Sequence, residues 1–238
     1  MLEIIKSLLI AFFAVAVLLP VIRYAFRRLS PVRSLETMTA DEVKFIQKRE
    51  LLLTIAYFFF ASVFAVFSAG MLALLASILH ASKEHLHVLT PNFRAFFAPG
   101  LLIGLTLALL PLRLVQKTLM GHDYELYKTY LAQNEGHQSK RMYGVLLLLM
   151  LVLSGVVGWF ALRWHVTIDA EQMEVTNLLN EHRTYQMQDI QSIHYLGAEG
   201  EYLVTFDDQT NVDMRYLKPV QLEMIAMLSQ QSGKRVIR

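Results

Sequence analysis

Three histidines that could bind a metal ion lie close together in the chain, at His80, His85 and His87. In an extended segment, residues two apart point to the same face, so His85 and His87 could share one ion. Apart from Glu84, no carboxylate-rich set accompanies them, and the usual spacings of zinc ligands are missing. We therefore interpret the three as solvated loop residues and predict no metal site; a bound metal ion is the alternative.

A second group of residues has the types that acid–base catalysis uses: His122, Asp123 and Glu125. They fall in a polar connection, where Asp-Tyr-Glu is more simply the wet face of a short helix. The sequence contains no nucleophile elbow, HExxH zinc motif or phosphate-binding loop. We therefore predict no catalytic and no cofactor-binding residue. A membrane enzyme or transporter with its site near residues 113–143 is the alternative.

Four arginines follow the first apolar block and could contact anionic lipid headgroups. Each basic residue near a membrane surface contributes about 1 kcal/mol to such binding. Positive charge is also expected of any cytoplasmic loop, so orientation of the chain is the simpler role. These candidate lipid contacts are Arg23, Arg27, Arg28 and Arg33.

The composition of the 238 residues indicates a membrane protein. Hydrophobic residues make up 55% and charged residues 18%, against roughly 45–50% and about 25% in soluble proteins. A net charge of +2 leaves no clustered excess of the kind that neutralises phosphates, so we predict no nucleic-acid partner. The sequence contains no cysteine, which excludes disulfides and cysteine-based metal sites within it.

Four apolar blocks are long enough to cross a bilayer, and we predict a helical transmembrane domain over residues 1–163. A span requires roughly 18 or more apolar residues. The first block contains a small-x-small sequence at residues 14–16 that is typical of signal-peptide cleavage, but its apolar run continues to Ile22, so we predict an uncleaved anchor. The predicted spans are approximately residues 4–22, 51–79, 95–112 and 145–162.

Local signals indicate further helix ends in this domain. Thr39 before Asp41 and Glu42 predicts a helix start that runs into the second span. Thr90 and Pro91 predict the cap and the first turn of the third span. In the next connection, tyrosines and leucines at helical spacing predict a short amphipathic helix at the membrane interface. Its apolar positions are Tyr124, Leu126, Tyr127, Tyr130 and Leu131.

Basic residues predict the side of the membrane on which each connection lies, because Lys and Arg near spans concentrate in the cytoplasm. Seven lie between the first two spans and five between the last two. Only three, Lys6, Lys83 and Arg94, lie in the amino terminus and in the connection between the second and third spans. With four spans both termini are outside. We predict a multi-pass inner-membrane protein whose C-terminal domain is extracytoplasmic.

After Trp164 the hydrophobic pattern changes to the period of two that is typical of strands with one buried face. Short alternating runs separated by turn-like stretches predict about six antiparallel strands. A helical repeat follows, which begins near Pro219 and stops at Gly233. We therefore predict an α+β domain over residues 164–238, a small sheet or barrel closed by one helix.

The segment VTIDAEQMEVTNLLNEHRTYQMQDIQSIHYL, residues 166–196, looks like the opening of bacterial PH-like domains, as in YcxB-like and related membrane proteins. In these, a strand pair of the form x-T-x-D-x-x-x-x-E-V precedes a D-I pair, here Asp189 and Ile190. EYLVTFDDQT and the closing helix fit the same plan, so the resemblance covers residues 164–232 and implies a PH-like fold. Family members often have two spans and a cytoplasmic domain, whereas four spans and an outside domain are predicted here.

These features predict a non-enzymatic membrane protein whose PH-like module binds a protein partner or scaffolds a membrane complex. Sheet domains often recruit partners through an exposed edge strand. Besides the membrane enzyme or transporter, a lipid-sensing module is a further alternative. The expected partners are the lipid bilayer and a protein, and no cofactor is expected.

Overall fold

The computed structural model describes residues 39–81, 85–135, 139–197 and 200–238, together with Leu9, Phe12, Phe13 and Val15. The described chain divides into two compact units. The first, here called the helical unit, consists of the described residues up to Ser68 and of Gly100–Gly155. The second, here called the sheet unit, consists of Ala69–Pro99 and Val156–Arg238.

Helices dominate the first half of the described chain and strands the second half. The helices are α1 (Ala40–Leu79), α2 (Phe93–Leu107), α3 (Leu109–Met120), α4 (Tyr124–Glu135), α5 (Ser139–Arg163) and α6 (Leu222–Ser232). The strands are β1 (His87–Pro91), β2 (His165–Ile168), β3 (Gln172–Thr176), β4 (His182–Gln186), β5 (Ile190–Tyr195), β6 (Tyr202–Phe206), β7 (Asn211–Asp213), β8 (Leu217–Lys218) and β9 (Val236–Ile237).

Three helical stretches are long and apolar enough to cross a membrane: Ala40–Leu79, Phe93–Met120 and Arg141–Arg163. They contain the apolar blocks predicted at 51–79, 95–112 and 145–162, so helices at these three blocks are confirmed. The first predicted span, residues 4–22, lies outside the described residues except at four positions. The candidate lipid-contacting arginines also lie outside them; these are Arg23, Arg27, Arg28 and Arg33.

The start of α1 confirms the helix signal in the sequence. The amide of Thr39 donates to Glu42 Oε2 at 2.8 Å, and the amide of Glu42 donates to Thr39 Oγ1 at 3.4 Å. This reciprocal capping box satisfies two amides that a helix N-terminus leaves without partners. The helix then continues for 40 residues. At 1.5 Å per residue α1 is about 60 Å long, which is more than a hydrocarbon core of about 30 Å requires.

Small residues bring the helices of the helical unit close together. Gly104 of α2 lies against the backbone of α1, where an added Cβ would be 2.4 Å from the Ala65 nitrogen and 2.7 Å from the Ala61 oxygen. The buried hydroxyls of Thr106 and Ser154 form a hydrogen bond of 2.9 Å between α2 and α5. Small residues and interhelical hydrogen bonds hold helices together where lipid provides no hydrophobic driving force between them.

The short helix predicted between the third and fourth spans is present as α4. Tyr127 of α4 is buried in a cluster with Ile46 and Leu53 of α1 and Met120 of α3. The other predicted apolar positions of α4 pack against the same cluster. This face therefore contacts protein, and its position at the membrane interface stays a prediction.

The sheet unit contains two sheets. One has the strand order β4-β3-β2-β1-β8 and the other the order β7-β6-β5-β9. Paired strands are antiparallel except for β5 and β9, which are parallel. Apolar side chains of both sheets and of α6 form one core, in which the rings of Tyr185 and Phe206 stack with centroids 3.9 Å apart. Burial of such side chains is the main favourable term in folding this unit.

The predicted alternating runs and the closing helix are confirmed, with differences at their ends. The strands β2 to β7 fall on the predicted runs, whereas β1, β8 and β9 were not predicted. The helix α6 begins at Leu222 and not near Pro219, because Gln221 is still extended. It ends where predicted, since Gly233 follows it with a φ of 69°, a left-handed conformation that glycine adopts without strain.

The segment between α1 and α2 is not the loop that the sequence predicted. Residues His87–Pro91 form β1, which pairs with both β2 and β8. The helix cap predicted at Thr90 was wrong: α2 begins at Phe93, and Asn92 Oδ1 accepts the amides of Arg94 at 2.9 Å and Ala95 at 3.3 Å. A residue before proline also favours extended backbone, and pairing with β2 selects that conformation for Thr90.

Candidate functional site

One end of the sheet unit is joined to three helices, and we call it the helix-proximal end. Only Asn92 separates β1 from α2, and only Trp164 separates α5 from β2. The end of α1 lies here as well, because the ring of His80, which follows α1, stacks on the ring of His165 with centroids 4.3 Å apart. The five-stranded sheet is therefore attached directly to helix ends.

Two histidines at this end are held by backbone carbonyls. His80 Nδ1 lies 2.9 Å from the Ala76 oxygen, and His165 Nδ1 lies 2.7 Å from the Arg163 oxygen. Burial lowers the pKa of His165, and the nearby imidazoles of His80 and His182 lower it further, so the neutral ring is favoured. Within the described residues, no group of three or more His, Asp or Glu side chains could hold a metal ion.

The other two histidines of the predicted loop have separate environments. His85 Nδ1 lies 2.9 Å from Asp169 Oδ2, and the amide of Leu86 donates to Asp169 Oδ1 at 3.1 Å. These two hydrogen bonds lower the pKa of Asp169. His87 is part of β1. The prediction of three solvated loop histidines was wrong, because His80, His85 and His87 are all half-buried parts of the sheet unit.

The predicted acid–base residues near the start of α4 lie at the protein surface. Asp123 and Glu125 are exposed, and Glu125 forms an ion pair with Lys128 on the same helix. The side chain of His122 lies outside the described residues. An exposed carboxylate paired with a lysine is the ordinary solvated surface of a helix.

Asn92 is a positioning residue that the sequence analysis missed. Its backbone amide donates to the Tyr216 carbonyl at 2.8 Å, and its side-chain Nδ2 donates to the Arg215 carbonyl at 2.7 Å. Its side-chain Oδ1 caps the start of α2. It therefore ties the start of α2 to the turn that precedes β8. An asparagine directly before an apolar helical block is a recognised cap signal, which could have identified it.

The strand β4 is an edge of the five-stranded sheet: β3 pairs with it on one side, and none of the described residues forms a strand on the other. In an antiparallel pair, successive residues point their backbone groups alternately toward and away from the neighbour. The Met187 amide donates to the Glu171 carbonyl at 3.0 Å, so Met187 points its backbone groups toward β3. Every second residue before it, Tyr185 and Arg183, does the same. It follows that the amide and carbonyl of His182 and of Thr184 point away from β3.

The side chains of β4 divide into an inner and an outer set. On the inner side, the Tyr185 hydroxyl donates to Asp208 Oδ2 at 3.2 Å, and Arg183 Nη1 donates to Thr210 Oγ1 at 3.1 Å. The amide and hydroxyl of Thr210, with Tyr185 and Arg183, lower the pKa of Asp208. These contacts hold β4 to the β6–β7 turn, so the strand presents a defined edge. The outer, exposed set is His182, Thr184 and Gln186.

A second surface feature is an open cavity of about 350 Å³ beside the start of α6. Its rim includes Leu222, whose side chain is 67% exposed. Among its described lining residues only Glu223 carries a carboxylate, and we assign the cleft no reaction. The lining residues are Gly200, Tyr202, Val220, Gln221, Leu222 and Glu223.

Comparison with known proteins identifies no relative of this chain. No protein-family model, no curated protein and no solved structure matches it. Inference about function therefore depends on the geometry of the sheet unit.

Proposed function

We propose that this is a multi-pass membrane protein whose C-terminal sheet is a non-catalytic, PH-like module that binds a protein partner by strand addition at β4. The observation that carries the proposal is the edge of β4, where the backbone groups of His182 and Thr184 point away from β3. In strand addition, main-chain hydrogen bonds provide affinity and alternate side chains provide specificity. The exposed outer side chains of β4 would provide that specificity.

The order of elements supports the PH-like part of the proposal. The segment whose sequence resembles PH-like domains forms β2 to β5, and α6 follows β8 and contributes to the common core of the two sheets. The strand β1 is an addition to this plan, because it comes from the connection between two membrane-crossing helices. The module is therefore built from two separate stretches of the chain.

The pairing of β1 supports placing the connection between α1 and α2 on the same side of the membrane as the C-terminal module. β1 lies between α1 and α2, whereas β2 follows α5, yet the two strands pair directly, with Leu89 opposite Val166. The connection and the C-terminal module must then lie on the same side of the membrane. The distribution of basic residues satisfies this condition, because it places both the connection between α1 and α2 and the C-terminal module outside the cytoplasm.

Direct attachment of the sheet to helix ends supports a scaffolding role. With one residue between α5 and β2, the module has little freedom to turn relative to the end of α5. A partner strand added at β4 would then be held at a set distance from the membrane. This is the property that a scaffold for a membrane complex needs.

The test places a photo-crosslinking residue at Gln188, an exposed position just after β4, in the full-length protein in its own membrane. It is combined with Thr184→Pro, because proline removes an amide that β4 does not use for pairing with β3 and blocks pairing on the free side. We expect one discrete adduct without the proline. With it, we expect an adduct yield lower by about tenfold, the effect of losing roughly 1.4 kcal/mol of binding.

Thr184→Val is the matched control, because it keeps the amide and the β-branched shape and changes only one of the three outer side chains, so its adduct yield should fall much less than that of Thr184→Pro. Arg183→Pro removes an amide that does pair with β3, and it should destabilise the sheet unit instead. An unchanged adduct in folded Thr184→Pro protein would contradict binding at this edge. The absence of any adduct at Gln188 would also count against a partner there.

A reporter fusion at Arg238 tests the proposed orientation. Alkaline phosphatase is active only outside the cytoplasm, whereas many fluorescent proteins mature only inside it. We expect an active phosphatase and a dark fluorescent protein. The opposite pattern would show that the module is cytoplasmic, as the resemblance to PH-like membrane proteins implies.

A further inference from the structure

The turn between β3 and β4, residues 177–181, extends from the helix-proximal end of the sheet. β2 starts at this end, and its antiparallel neighbour β3 ends here, with Thr176 opposite His165. After Thr176 the chain runs beyond the end of the sheet as the turn and then returns in β4, where His182 is opposite Thr176. The turn therefore lies beyond the end of the sheet, on the side where the helices attach.

Two leucines occupy the tip of this turn, although turn positions usually hold polar residues or glycine. Leu178 is 44% exposed and Leu179 is 74% exposed. Asn177 Oδ1 accepts the amides of Leu179 at 2.9 Å and of Glu181 at 3.0 Å, and Asn180 has a φ of 61°. These hydrogen bonds hold the turn in one conformation, in which both leucines stay outside the core of the sheet.

The end of α5 lies beside this turn. The Arg163 guanidinium lies 4.8 Å from the centre of the Trp159 ring, and its Nη1 donates to Asn180 Oδ1 at 3.5 Å. The Arg163 side chain thus contacts both Trp159 on α5 and the β3–β4 turn, and the tip of the turn lies near the level of Trp159.

This level is where the boundary between membrane and water is expected on α5. Tryptophan concentrates at membrane interfaces, and an arginine at a helix end extends toward the headgroups. The neighbouring surface of α5 is apolar and open, with Val156 47% exposed and Phe160 40% exposed. Exposed apolar side chains thus lie both on this end of α5 and at the tip of the β3–β4 turn, which the Arg163–Asn180 hydrogen bond connects.

We propose that Leu178 and Leu179 insert into the interface of the bilayer that α5 crosses, so that the β3–β4 turn is a second membrane contact of the sheet unit. The ligand is the boundary between lipid headgroups and acyl chains. Arg163 flanks the tip as a headgroup-facing cation, whereas Arg183 bonds to Thr210 and lies 3.8 Å from both Glu181 and Asp208. The inference rests on α5 crossing a membrane and not on a partner at β4.

The absence of cysteine from the sequence permits a clean test by single-cysteine labelling of the full-length protein. The variants are Leu179→Cys at the tip, Ala170→Cys in the exposed β2–β3 turn at the opposite end of the same strands, and Leu149→Cys on the exposed surface of α5. Each carries an environment-sensitive fluorophore in vesicles of phosphatidylcholine and phosphatidylglycerol. Quenching is measured with an acyl-chain quencher and with aqueous iodide.

We expect the acyl-chain quencher to act several-fold more strongly on labels at positions 149 and 179 than on the label at 170. Iodide should act mainly on the label at 170. Equal iodide quenching at 170 and 179 would overturn the proposal. A label at 179 that neither quencher reaches would assign the tip to a protein surface, such as a second copy of the chain, and would also overturn it. Absence of acyl-chain quenching at 149 would remove the premise that α5 crosses the bilayer.

Discussion

The middle of α1, around Ala61 and Ala65, and the core of the sheet unit bury different classes of side chain. In the sheet unit, large side chains such as Phe206 and Met224 are fully buried. On the part of α1 that belongs to the helical unit, Ala65 is fully buried, while Phe59 and Phe67 are 63% and 64% exposed. Water drives large apolar side chains inward, whereas lipid solvates them and leaves small residues at the helix contacts.

This contrast indicates the solvent expected around the apolar helices and around the sheets. Monomeric soluble proteins rarely expose a contiguous apolar patch larger than roughly 300–600 Å². Large apolar side chains are exposed along most of α1 and α5, which is the arrangement expected against lipid. Examples are Phe59, Phe67, Leu74, Leu148, Val152 and Trp159.

The largest effect should come from removing a large side chain from the core of the sheet unit. Phe206 is fully buried and stacks on Tyr185, so Phe206→Ala should lower the free energy of unfolding by about 3–5 kcal/mol. Phe67→Ala removes the same side chain from an exposed surface of α1 and should change it by less than about 0.5 kcal/mol. Denaturant unfolding in detergent, followed by tryptophan fluorescence and by far-UV circular dichroism, measures both. Equal losses would contradict the contrast between the units.

The next largest effect should come from adding a methyl group where the helical unit has no room. The added Cβ of Gly104→Ala would meet backbone atoms of α1 at 2.4 Å and 2.7 Å, and backbone moves less easily than a side chain. We expect a loss of about 3 kcal/mol, at the upper end of the usual cost of overpacking. Thermal denaturation of the detergent-solubilised protein measures it.

Gly155→Ala is the matched control for this substitution. An added Cβ at Gly155 would have no atom within 4 Å, and alanine is the better helix former by about 1 kcal/mol in water. It should leave stability unchanged or slightly raised. A Gly104→Ala protein as stable as the Gly155→Ala protein would show that α1 and α2 are not in close contact.

The smallest effect should occur where α5 passes into β2. The pKa of His165 is lowered from its ordinary value of 6.5, so the folded protein binds fewer protons at this site than the unfolded chain. Stability therefore falls as the pH decreases through about 6.5, and this group causes no further loss below its lowered folded-state pKa. The hydrogen bond to the Arg163 carbonyl and the nearby Glu174 oppose this shift of the pKa without reversing it.

The unfolding midpoint of the sheet unit at about pH 7.5 and at about pH 5.5, on either side of the ordinary histidine range, measures this dependence. We expect a lower midpoint at the acid pH in the natural protein and a flatter response in His165→Gln. His194→Gln, on β5 of the other sheet, is the control and should retain the slope. An identical slope in all three proteins would exclude a contribution from His165.

Much of the local structure could be predicted from the sequence. Thr39 and Glu42 form the expected capping box, Gly233 follows the last helix, and the alternation after Trp164 falls on β2 to β7. These features depend on residues a few positions apart, so a single stretch of sequence carries their signal. The candidate site could not be predicted in the same way. The edge of β4 and the leucine tip look like ordinary strand and turn residues until their neighbours are known.

The sequence by itself determined which segments are apolar enough for lipid and which alternate as strands, because helical and strand periods connect residues two to four apart. Only the tertiary structure decided that His87–Pro91 is a strand, since its pairing joins His87 to Ile168 across 81 positions. That pairing attaches the sheet to helix ends and directs the β3–β4 turn toward them. Such long-range pairing depends on how well two distant surfaces fit, and no local pattern encodes that fit.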